Sequence, residues 1–120
     1  MATLRNSSFP RYEAIGKVVD RCVYKFLETR AGLEKVTVDD ESGEFVFVSK
    51  DFDDNEEKLL VLIHGSGVVR AGQWARRLII NEGLEQGTQL PYIKRALDRG
   101  YAVLVMNTNQ RQDLSKARNV

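Results

Sequence analysis

Leu59-Leu60-Val61-Leu62-Ile63-His64-Gly65-Ser66-Gly67 decides the architecture: an unbroken apolar run ends abruptly in a glycine-rich turn. Too short for a helix and bounded by a turn signal, the run reads as a buried strand. A strand that opens into such a loop is where α/β proteins tend to place their binding chemistry. Downstream, Thr88 looks like a helix cap, with Pro91 tolerated in the first turn, Leu90, Ile93, Ala96 and Leu97 on one face and Gly100 as the stop. Tyr101, Ala102, Val103, Leu104, Val105 and Met106 then form another buried strand. Strand, crossover helix and strand in this order make a parallel unit. Between the loop and that helix, Trp74, Leu78, Ile79 and Ile80 divide between helical turn and loop.

Upstream, Ile15, Val18, Val19, Cys22, Val23, Phe26 and Leu27 recur at spacings that put them on one helical face. The helix is expected to start near Pro10 and to stop near Gly32, with Arg30 in its last turn. Cys22 falls on the apolar stripe, where a buried thiol without chemistry is the ordinary reading. Val36 and Val38 alternate with Lys35 and Thr37, a turn-forming stretch from Asp39 to Gly43 follows, and Phe45, Val46, Phe47 and Val48 are continuously apolar. This is a β-hairpin whose second strand is expected inside a sheet covered on both sides.

The 120 residues, 42% apolar and 29% charged, fit one domain. A single cysteine forms no internal disulfide, and with one histidine it supplies no structural metal site; no metal or cofactor is expected. There is no secretory signal, no run of about 20 apolar residues to span a membrane and no nuclear targeting signal. The formal charge of +1 is unevenly spread: residues 1–30 carry six basic and three acidic side chains, 31–60 three and ten, 61–120 nine and four. The acids fall in two loops, Asp39 to Glu41 and Asp51 to Glu57, expected as solvated surface. Aromatics do not interleave with the basic residues, so no direct nucleic-acid motif is present.

The loop itself discriminates among chemistries by spacing. A phosphate-binding loop needs a lysine after its second glycine, and none stands there. A dinucleotide loop needs a third glycine where Arg70 stands. Ser66 as a nucleophile would want glycines two positions to either side, which are His64 and Val68. What remains is a loop whose backbone N–H groups at Gly65, Ser66 and Gly67 could face a carbonyl oxygen, as in the oxyanion loop of α/β hydrolases, with His64 as a hydrogen-bonded support.

The segment KLLVLIHGSGVVRAGQWARRLIINE, with GTQLPYIKRA and VLVMNTN after it and RYEAIGKVVDRCVYKFLE and FVFVS before it, resembles the Argonaute-binding-protein-2 domain of the animal cotranscriptional regulator family. The resemblance implies an incomplete α/β-hydrolase-like three-layer fold spanning residues 11–109, with an N-terminal arm at 1–10 and a polar tail at 110–120. It further implies Argonaute proteins and chromatin or splicing factors as partners, a role in alternative splicing and small-RNA-linked silencing, and residence in nucleus and cytoplasm.

The serine elbow of such hydrolases is nowhere in this sequence, and the only histidine precedes any place for it. The expectation is therefore a non-catalytic interaction module, a short isoform or fragment. The alternative is the N-terminal fragment of an esterase-like serine hydrolase. In the resembled fold the strand Leu59 to Ile63 lies between Ala102 to Met106 and a further strand, so its outer edge is expected open and able to self-associate.

Overall fold

The computed structural model describes residues 2–110, excluding the side chains of residues 2–10 and 12. Helix α1 (Ala2–Thr29) leads into the hairpin β1 (Glu34–Asp39) and β2 (Glu44–Val48). Then come β3 (Leu59–Leu62), the short helices α2 (Arg76–Glu82) and α3 (Leu84–Gly87), α4 (Leu90–Asp98) and β4 (Ala102–Val105). The four strands form one mixed sheet in the order β1-β2-β4-β3. β2 runs antiparallel to both neighbours, and β3 pairs parallel with β4, Leu59 opposite Ala102 and Leu62 opposite Val105. This is an α/β fold with the expected parallel unit, and α4 makes the return between β3 and β4. Among the described residues β3 pairs on one side only.

The core lies between the inner face of the sheet and the helices. Phe47, Leu62, Val103 and Val105 from the sheet meet Val23 and Leu27 of α1 and Leu90, Ile93 and Ala96 of α4. Tyr24, Phe45 and Phe47 add an aromatic cluster with ring centroids 5.2 to 5.7 Å apart. The outer face has no helix on it among the described residues: Leu59 is 50% exposed and Val61 41%. The sequence predicts β2 covered on both sides; among the described residues helices cover only its inner face, although Val48 on the outer face is 8% exposed, so the described residues supply two of the three layers. Continuous hydrophobicity says that a strand avoids water on both faces, and cannot say which chain provides the cover.

Further expectations shift. α1 begins at Ala2, so Pro10 falls inside the helix, where it leaves one ladder hydrogen bond unmade, and not at its start. Its contact face is rotated from the one the apolar pattern predicts: Val23 and Leu27 are buried and Val19 packs beside them, while Ile15, Val18 and Cys22 are exposed. Gly16 and Asp20 set that rotation, since both face Arg76 and Gln73 on the body of the protein. Arg30 lies just past the helix end, its guanidinium 4.0 Å above the Phe26 ring, while Leu33 N–H donates to the Leu27 carbonyl and closes the terminus. The stretch around Trp74 resolves into a bridge between Gln73 and Thr88 followed by α2. The cap position of α4 is Gln89, one residue beyond the expected Thr88 and without a side-chain cap; Thr88 closes α3 instead, its Oγ1 donating to the Leu84 carbonyl at 2.6 Å and accepting from Leu90 N–H at 3.2 Å.

Candidate functional site

The site region is the loop His64 to Gln73 together with the segment Asn107 to Gln110, since parallel β3 and β4 deliver both to the same sheet end. In α/β folds that end carries the ligand. Gly65, Ser66 and Gly67 are exposed at the tip, whereas His64 beneath them is 5% exposed. Gly67 has φ +103, a conformation that requires glycine. A Cβ added at Gly65 would meet nothing within 4 Å, so packing does not demand glycine there.

The loop is held by its carbonyls. Asn109 Nδ2 donates to the Gly65 and Val69 carbonyls at 3.0 and 2.9 Å. Arg70 Nη1 donates to the Val68 and Val69 carbonyls at 2.9 and 3.1 Å, and Arg76 Nη2 reaches the Val68 carbonyl at 3.2 Å. His64 Nδ1 is 2.8 Å from the Gly65 carbonyl, which favours the ring proton on that nitrogen, and Asn109 Nδ2 stands 3.4 Å from it; among the described residues Nε2 is buried without a partner. Among the described residues the backbone N–H groups of Gly65, Ser66, Gly67 and Val68 have no acceptor. Carbonyls tied inward and amides left free make a loop tip with donor character.

A second layer ties this loop to α1. Asp20 Oδ1 accepts from Gln73 Nε2 at 2.7 Å, and Asp20 Oδ2 pairs with Arg76 at 3.4 Å. Asn107 Oδ1 accepts the buried Ala71 N–H at 2.8 Å while its Nδ2 donates to Tyr24 Oη at 3.2 Å. Gln110 Oε1 accepts from Phe45 N–H at 2.9 Å, supplying the acceptor that a longer β4 would have provided. Gln110, expected in the polar tail, is therefore buried structure, and the tail beyond it lies outside the described residues. Asp20, Arg70, Arg76, Asn107 and Asn109 escape sequence reasoning because polar residues after a strand, or on a helix, read as solvent-facing; the one signal was Asn107 and Asn109 directly following a buried strand.

Chemically the arrangement offers donors and no nucleophile–base pair. Ser66 Oγ makes no hydrogen bond among the described residues, and the single imidazole is committed to a carbonyl. Among the described residues no cluster of His, Cys, Asp or Glu could hold a metal ion, and no helix is long and apolar enough to cross a membrane.

The Arb2 domain profile matches residues 5–116, nearly the whole chain. The chain belongs to the Arb2 domain family. It is 55% identical over 105 residues to the mouse cotranscriptional regulator ARB2A, a match covering 83% of this chain and 25% of that protein. Its identity to the Xenopus tropicalis homolog of that protein is 58%, with the same coverage. A Caenorhabditis elegans FAM172 family protein homolog is 56% identical over 118 residues, 89% of this chain and 37% of that one. This Arb2 chain thus spans between a quarter and two-fifths of the length of these relatives. No solved structure matches it.

Proposed function

We propose that this Arb2 chain is an interaction module in cotranscriptional regulation, one that holds Argonaute proteins and chromatin or splicing factors by contact and carries out no covalent step. The observation that carries the reading is its 54 to 58% identity to vertebrate proteins named cotranscriptional regulator ARB2A or its homolog. The uncoupled Ser66 and the committed His64 imidazole are in keeping with it. The action is nuclear, with a cytoplasmic pool, and residues 11–109 form the docking body.

The sheet order, with an antiparallel β2 and a parallel β3-α4-β4 unit, supports a kinship with the N-terminal part of an α/β-hydrolase-like fold. In that kinship Gly65, Ser66 and Gly67 stand at the oxyanion loop, retained as a scaffold corner over its His64 support. The test is direct: the purified chain is immobilised and a purified Argonaute protein is passed over it. Saturable binding is expected. No binding, in a chain that hydrolyses esters through Ser66, would overturn the reading.

A further inference from the structure

Part of the apolar pattern on α1 takes no part in the core. Val23 and Leu27 are buried, whereas Ile15 is 47% exposed, Val18 is 55% exposed and Cys22 is exposed beside them. In a helix of about 3.6 residues per turn these three share an outward arc of about 160° with Arg11, Lys17, Arg21 and Lys25, all of them exposed. Between residues 11 and 25 that arc holds four cations and no acid: Glu13 falls outside it, and Asp20 is turned inward onto Gln73 and Arg76. None of these cations makes an ion pair among the described residues. The helix that carries them is anchored from its other side through Gly16, Val23 and Leu27, so the face is presented ready-made.

We propose that this face of α1 receives an acidic amphipathic helix of about four turns from a partner protein, a proposal that rests on the interaction-module reading and gives its partner a chemistry. Charge selects the sign, since unpaired cations attract carboxylates and repel a basic segment. The chain's own ends do not supply that charge: residues 1–10 hold one basic and no acidic side chain, and residues 111–120 hold three basic and one acidic. Period selects the shape. Ile15, Val18 and Cys22 follow one another at three and four residues and Lys17, Arg21 and Lys25 at four and four, rows between which a second helix seats its own side chains. From Arg11 to Lys25 the face runs about 21 Å at about 1.5 Å per residue, the length of about four turns. A nucleic-acid backbone would meet the cations but leave Ile15 and Val18 in water, with no aromatic residue in the arc to stack on a base. An anionic bilayer would need a wider apolar face than these side chains make.

The test titrates the intact chain into a fluorescein-labelled peptide of leucines at helical spacing flanked by glutamates and reads anisotropy. One control peptide replaces the glutamates by lysines, and another rearranges the same residues to a period of two. Saturable binding of the helical acidic peptide is expected, weakened about tenfold or more for each control, and weakened similarly by Val18→Glu and by Arg21→Glu. On the unmodified chain the peptide should shift the NMR methyl signals of Ile15 and Val18, a readout independent of how either variant folds. Equal binding of the lysine peptide would overturn the proposal, as would shifts confined to another face. So would tighter binding of duplex RNA or of phosphatidylserine vesicles than of the acidic peptide, or self-association without peptide that Val18→Glu abolishes. The Argonaute measurement, repeated with Val18→Glu, separates the two readings. Argonaute capture without peptide binding removes only the α1 site, and peptide binding without Argonaute capture removes only that partner.

Discussion

The guanidinium of Arg76 lies against the bare backbone of Gly16, in the space a Cβ would occupy, and from there pairs with Asp20 one helical turn on. Arg76 is 8% exposed, so this contact fixes α1 against the site loop through a buried charge. Leaving Asp20 unpaired would cost more than the pair itself contributes.

Gly16→Ala should therefore gain less than the roughly 1 kcal/mol that alanine's helix propensity offers, because the Arg76 guanidinium, the far end of a flexible side chain, must shift and loosen its pair with Asp20. In an Arg76→Ala background the overlap has gone and the full propensity gain should appear. Chemical denaturation of the four proteins of this cycle reads both numbers. An equal gain in the two backgrounds would mean that Arg76 does not occupy that space.

Asn107→Ala should cost about 1–3 kcal/mol, since it leaves the Ala71 N–H buried without its acceptor. Asn107→Asp keeps an acceptor for Ala71 and should recover part of the loss. Exchange at the Ala71 amide should quicken in the alanine variant and not in the aspartate one.

How far the sequence carried is visible in these residues. The hairpin, the parallel β3-α4-β4 unit and the stop after α4 were legible because hydrophobic period and turn residues act locally. The contact face of α1 was not: seven apolar residues spread over more than one stripe, and Gly16, Asp20, Val23 and Leu27 face inward because of partners far along the chain. The loop tip at Gly65 to Gly67 was legible from its glycines. Its anchors Arg70, Asn107 and Asn109 were not, because what they satisfy is backbone carbonyl and amide groups that a sequence does not display.

The Asp51 carboxyl is held below the usual carboxylate range by hydrogen bonds from Ser49 first and Asn55 second. A depressed folded value stabilises the fold at pH above the ordinary value of about 3.9, and the contribution is lost as pH falls through the folded value. The acid limb of a stability profile should accordingly flatten in Asp51→Asn, and the Asp51 titration followed by NMR should move up in Asn55→Ala. An unmoved titration would remove Asn55 from the account.

Among the described residues the outer edge of β3 has no partner strand and lies between apolar side chains, and strands of this kind pair with one another. Sedimentation should show concentration-dependent self-association, and Val61→Lys, on the outer face, should reduce it. A monodisperse monomer at high concentration with slow exchange from Leu59 to Ile63 would mean that the edge is already covered.

The claim that binding, and not chemistry, is what this Arb2 chain contributes is tested most directly by turnover of activated esters on the purified chain beside Ser66→Ala. The account predicts a rate no higher than buffer for both proteins. Saturable hydrolysis by the parent that disappears in Ser66→Ala would contradict it.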